Sequence, residues 1–346
     1  MPSSSARRAT RCWAAIIVGP TLLLSHSITI AMEPVAPGEI HLAISPDEDV
    51  TDEVVLVSQW DESAAVSCDR CSPCLADYFT VFGGLEGSKQ PQDFGVNAHF
   101  GGRVALDWAR LVLPDSGIGV HLGSAVNVTD NAVQVVERME GTTDRTQFFT
   151  TVGVFQRTHS GLLWEAAYDF LYQDYYDDFF LGQWRGRLGY ELTCADEVGL
   201  QTSLHANGDE GQFGATDVYL RPINQASLYW RHTWGSGARV GGWAGIAEGH
   251  AEANIALGDW PRRDEVFLFG SDIYVPLTNY LAIFGEANFL MPADTGTVDA
   301  YLGFEFFPWG GACQGRRAYN APLLPVANNT SFATDLFRRQ SGQNNE

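Results

Sequence analysis

The 346-residue chain carries 42 acidic side chains against 21 basic ones, a formal net charge of −21, and Lys89 is its only lysine. A polyanion without a basic stripe is repelled by phosphate backbones, so nucleic acid is excluded as a partner. Thirty-six Gly, 20 Phe, 12 Tyr and 10 Trp with 45% hydrophobic content exclude wholesale disorder.

Arg7, Arg8 and Arg11 precede an apolar run from Trp13 to Leu24, and Thr29-Ile30-Ala31 offers small residues for a peptidase. The run is broken by Gly19-Pro20 and falls short of the ~20 residues of a spanning helix. Residues 1–31 are therefore expected to be a signal peptide cleaved near Ala31–Met32. Residues 32–77 form an acidic linker with Asp47, Glu48, Asp49, Asp52 and Glu53 close together, followed by Cys68, Cys71 and Cys74. Their spacing could hold a metal or an iron–sulfur centre, but no suitable fourth ligand follows nearby. An exported compartment favours disulfides among the three, so neither metal nor cofactor is expected.

From Phe94 to Trp108 apolar and small or polar residues alternate without a break. Phe94, Val96, Phe100, Val104 and Leu106 share one side, with His99, Arg103 and Asp107 on the other. A period of two places such sets on opposite faces of a strand. The pattern recurs at Ile118–Leu122 and at Trp184, Leu188, Tyr190 and Leu192 against Arg185, Arg187 and Glu191. Further strands are expected at about 78–86, 146–157, 162–172, 197–206, 225–234, 237–247, 264–275, 280–290 and 297–307. Short turns such as Thr158-His159-Ser160 alternate with long polar connections at 128–145, 173–180, 207–224 and 248–263. No segment sustains a helical period. The expected fold is all-β: an up-and-down antiparallel β-barrel of about 12 strands (10–12), transmembrane type, over residues 78–307. An even strand number returns both ends to the short-turn side, so 308–346 is expected to be a periplasmic tail.

Charged positions within the strands decide which face meets which solvent. Arg103, Asp107, Glu165, Asp169, Arg185, Arg187, Glu191, Arg231, Glu286 and Glu305 are close to charge balance and are expected to line the lumen. With a hairpin turn near Tyr176, Glu165 falls opposite Arg187 and Asp169 diagonal to Arg185. Trp108, Tyr172, Tyr190, Trp230 and Trp234 near strand ends suit aromatic girdles. Asp174, Asp177 and Asp178 form a weak candidate cation site, but their spacing matches no calcium loop and a solvated acidic rim is the favoured explanation. His121 and Ser124 lie on opposite faces of one strand, which prevents a nucleophile–base pair. His205 and His232 are expected in the lumen or at its rim.

Tyr168–Tyr176, Asp93-Phe94-Gly95, Gly117–Gly123 and Gln183-Trp184-Arg185-Gly186 with Tyr190 resemble segments of an uncharacterised family of exported planctomycete barrels. The ending Pro322–Phe332 is similar to a proline–leucine…serine–phenylalanine ending of that group. The resemblance implies a barrel in the cell envelope and no activity.

The sequence thus points to a non-enzymatic outer-membrane barrel, either a narrow diffusion channel or a structural envelope protein. Its expected partners are outer-membrane lipid and small solutes or ions. A secreted soluble barrel holding a small ligand is the alternative, and a barrel-embedded hydrolase the third.

Overall fold

The computed structural model describes residues 77–93, 98–132, 144–249, 265–291 and 297–338. The expected signal peptide (1–31), residues 32–76 of the expected acidic linker and Cys68, Cys71 and Cys74 lie outside the described residues. The described residues form fifteen strands: β1 (Tyr78–Lys89), β2 (His99–Leu113), β3 (Ile118–Asn131), β4 (Asp144–Arg157), β5 (Leu162–Asp174), β6 (Asp178–Glu191), β7 (Asp196–Asn207), β8 (Asp209–Phe213), β9 (Thr216–Pro222), β10 (Gln225–Thr233), β11 (Arg239–Glu248), β12 (Glu265–Pro276), β13 (Leu281–Met291), β14 (Thr297–Phe306) and β15 (Thr334–Arg338). Twelve of them close into an antiparallel barrel, with β1 joined to β14 and β7 joined directly to β10.

The barrel sorts its connections by rim. β2–β3, β4–β5, β6–β7, β10–β11 and β12–β13 are joined by four or five residues at one end. The opposite end carries the longer connections, with two departures from the sequence expectation. Residues 173–180 do not form a long loop, because the β5–β6 ladder continues to Asp174 opposite Asp178. Residues 207–224 fold back as the hairpin β8–β9, which β15 extends to three strands at the long-loop mouth.

Period-two alternation fixes the faces. Phe100, Val104, Leu106, Leu122, Val152, Trp184, Leu188 and Leu302 point outward and are exposed. On the alternate positions His99, Arg103, Asp107, His121, Asn127, Thr151, Glu165 and Asp169 are buried inside. The interior is not solely ionic. Phe82, Phe284 and Tyr301 meet edge to face near the short-turn end, and Tyr78 meets Phe307 in the same way.

Over residues 308–338 the segment after β14 departs from the expected periplasmic tail. It turns back at the short-turn rim and runs through the barrel. Ala321, Leu323, Val326, Ala327 and Phe332 are all buried. Where it passes β3 the wall has thinned to glycine: a Cβ on Gly123 would lie 2.3 Å from Val326 Cγ2.

Candidate functional site: the filled barrel interior

An extended segment inside a barrel must find partners for its own amides and carbonyls, since each one left unpaired and buried costs about 1–3 kcal/mol. Here the wall side chains supply them, rung by rung. At the short-turn end Tyr274 Oη donates to Ala312 O at 2.6 Å. Gly315, at φ +50°, packs against the Tyr274 ring and opens a 3-10 turn, Gly315–Arg317. That turn projects Arg316 inward, 3.0 Å from Asp107 and 3.2 Å from Glu305. Arg157 then donates to the carbonyls of Arg316 and Ala321.

Beyond Ala321 the chain is extended, as Pro322 and Pro325 favour and as their missing N–H groups tolerate. Glu165 accepts from the amides of Leu323 and Leu324 at 2.6 and 2.8 Å, while Arg187 donates to Leu323 O. Arg185 reaches Pro325 O at 2.8 Å and Arg103 reaches Ala327 O at 3.0 Å. Thr151 Oγ1 accepts from the Ala327 amide. Deeper still, Asn329 bonds Gln147 and Glu86, and Asn288 donates to Thr330 O. Gln183 donates to Ser331 O and Gln90 to Phe332 O, and the Phe332 ring stacks edge-on against Phe149.

The expected lumen charges divide three ways. Arg103, Asp107, Glu165, Asp169, Arg185, Arg187 and Glu305 are buried inside and contact one another, the tail, or both. The predicted register is present, with Glu165 opposite Arg187, and Arg185 Nε lies 2.5 Å from Asp169. However, Glu165 and Arg187 do not pair with each other. Glu165 turns to His121 at 2.7 Å and Arg187 to Glu197 at 2.9 Å, because the tail amides and carbonyl compete for the space between them. Arg231 lies 3.3 Å from Asp272, and Glu286 accepts from Tyr301 and Thr330. Glu191 falls outside the interior: its side chain is 38% exposed at the short-turn rim, 4.0 Å from Arg317.

Asp174, Asp177 and Asp178 are not gathered into a site. Asp177 is occupied by the amides of Asp178 and Gln212, and Asp178 by the Tyr172 hydroxyl. Among the described residues no cluster of three metal-ligating side chains exists.

Three interior groups went unassigned from sequence. His121 sits between Asp107 at 2.9 Å and Glu165 at 2.7 Å, linking the rung that holds Arg316 to the rung that holds Leu323. Its position on the inward face was legible from the β3 alternation. Arg316 carries no periodic signal, because the tail is not a strand there. Asp93, in the 3-10 turn Pro91–Asp93 at the long-loop end, lies 3.1 Å from His99 and 3.3 Å from Arg145. Burial pushes its pKa up, but the charges of Arg145 and His99 outweigh that and hold it below the usual carboxylate range.

Between the tail and the wall formed by β6, β7, β10, β11, β12 and β13 a cavity of about 60 Å³ remains, bordered by Arg187, Gln201, Ser227, Arg231, Trp243 and Glu286. At ~10–15 Å³ per water it has room for a few waters.

In shape the barrel is similar to a COG4313 outer membrane channel from Pseudomonas putida F1. The TM-score is 0.48 and the identity 10%, over 69% of this chain and 98% of that one. It is also similar to the TodX monoaromatic hydrocarbon channel (0.43, 9%, 67% and 90%). Outer membrane phospholipase A from Escherichia coli is a third likeness (0.37, 10%, 70% and 96%). No curated protein matches the sequence. The family of unknown function DUF6666 matches residues 78–334, a span that takes in the barrel and the tail inside it, and the chain belongs to that family.

Proposed function

We propose that the protein is an outer-membrane β-barrel sealed by its own C-terminal segment, serving as a closed, non-enzymatic structural component of the envelope. The observation that carries this reading is the inversion of faces around a filled interior. Leu106, Leu122, Val152, Trp184, Leu188 and Leu302 are exposed, while ion pairs are buried. A water-soluble container would do the reverse. On β6 the outward apolar band runs from Tyr190 to Phe180. The ten steps between them, at ~3.3 Å rise and ~40° tilt, span about 25 Å, the height of an outer-membrane belt. Tyr190, Trp230, Trp234, Tyr280 and Trp309 are exposed near the short-turn rim, where an aromatic girdle meets the headgroups.

The tail favours the structural reading over the diffusion-channel reading, because it runs through the interior that would conduct and leaves only a small cavity beside it. His121 supports a non-enzymatic role, since both its ring nitrogens face carboxylates and neither faces a serine. Planar-bilayer recordings test the proposal. The full chain should be silent, and a chain ending at Phe307 should give discrete conductance steps. Solute-sized steps from the full chain would overturn the sealed reading.

A further inference from the structure

A barrel with an even number of strands begins and ends on one side. β1 starts at the short-turn rim, and β14 ends there, with Phe306 opposite Val81 and Leu281. The tail alters that count. Its contacts advance in order from rim to rim. Ala312 meets Tyr274 near the β12–β13 turn, Arg316 meets Asp107 and Glu305, and Leu323 meets Glu165. Ala327 then meets Thr151 at mid-height, Asn329 meets Gln147, and Phe332 meets Gln90 just beyond the far end of β1. The segment finishes as β15, which pairs Leu336 with Leu220 of β9 in the long-loop sheet. Buried Asp335 lies 3.8 Å from Arg221 there, and Thr334 Oγ1 donates to Gln90.

Length permits this path easily. Residues 312–334 reach ~70 Å when extended, against the ~30 Å that a tilted twelve-residue strand rises. The wall also grips the tail mainly through its backbone, from Leu323 O to Phe332 O, so the path is set by the side-chain ladder of the barrel.

We infer that the tail crosses the membrane once more, through the interior, and presents β15 on the outer face. The protein would thus expose β15 at the cell surface, opposite the rim at which β1 begins. This rests on the membrane reading above, with short turns periplasmic and long loops outside.

Small epitope tags read by antibody on intact and permeabilised cells test it. One tag follows Glu346, one lies in the β3–β4 connection on the long-loop side, and one lies in the β10–β11 turn on the short-turn side. The expected result is equal staining of the first two on intact cells, with the third stained only after permeabilisation. A β3–β4 tag that stains intact cells beside a Glu346 tag that does not would overturn the threading and leave the membrane reading standing. A β3–β4 tag hidden on intact cells, or recovery of the protein without detergent, would overturn the membrane orientation and the inference with it.

Discussion

Arg316 is the side chain on which the lower half of the filled interior turns. It faces two carboxylates, Asp107 and Glu305, that have been drawn out of water. Removing one partner of a buried ion pair costs about 3–5 kcal/mol, because the abandoned charge keeps its desolvation penalty. Arg316→Ala should therefore lower unfolding stability in detergent by about that amount, read by denaturant titration of tryptophan fluorescence. Arg316→Lys should recover only part, since an ammonium lacks the planar fork that spans two acceptors. Asp93 adds a pH dependence. Its folded pKa is depressed by Arg145 and His99, so its contribution is complete above its unfolded value of about 3.9 and is lost as pH falls through the lower folded value. Asp93→Asn should flatten the acid limb of the stability–pH curve and lower stability at neutral pH. At this scale much was legible from sequence. Alternation alone put Arg103, Asp107, Glu165 and Arg185 on the inward face. What alternation could not show was the choice of partner: Glu165 faces Arg187 in register yet bonds the Leu323 and Leu324 amides. That choice depends on a segment more than a hundred residues away in the chain.

Among elements, the strands followed from a two-residue period and the tail did not, for one physical reason. A strand declares itself because its two faces meet different solvents, whereas the tail is surrounded by protein on every side and shows no periodic contrast. The hairpin β8–β9 was hidden similarly, since it pairs at the barrel mouth with β15 and reads as a polar loop. The fit between β3 and the tail has a measurable consequence. Gly123→Val would drive its side chain into Val326, whose Cγ2 already lies 2.3 Å from the position of a Cβ. Overpacking of this kind costs about 1–3 kcal/mol. Gly102→Val, on the outward face of β2 with no atom near its Cβ position, should change stability by no more than about 0.5 kcal/mol. The pair separates loss of a tail contact from a general dislike of Val at strand glycines, and thermal melts of both variants in one detergent would show it.

At the level of the whole molecule, the sequence expectation of an inverted barrel and the structure agree on which side chains face out, and the solvent they meet can be tested by substitution. Val152 is 56% exposed at the middle of β4, opposite Leu122 and Tyr168 on the neighbouring strands. In a bilayer Val152→Arg should cost about 2–4 kcal/mol, whereas on a water-facing surface it would change stability by less than about 0.5 kcal/mol. Refolding titrations into lipid vesicles distinguish these outcomes. The central claim, that the chain fills its own barrel, is tested most directly by a cross-link. A Cβ at position 123 would sit 3.2 Å from that of Val326, close to the ~3.5–4.5 Å of a disulfide. In a chain whose native cysteines are replaced by serine, Gly123→Cys with Val326→Cys should oxidise to a single intramolecular bond in the folded protein, visible as a gel-mobility shift that reductant abolishes. A folded, detergent-stable barrel in which both thiols stay open to maleimide would contradict the account, because the tail would then lie outside the barrel.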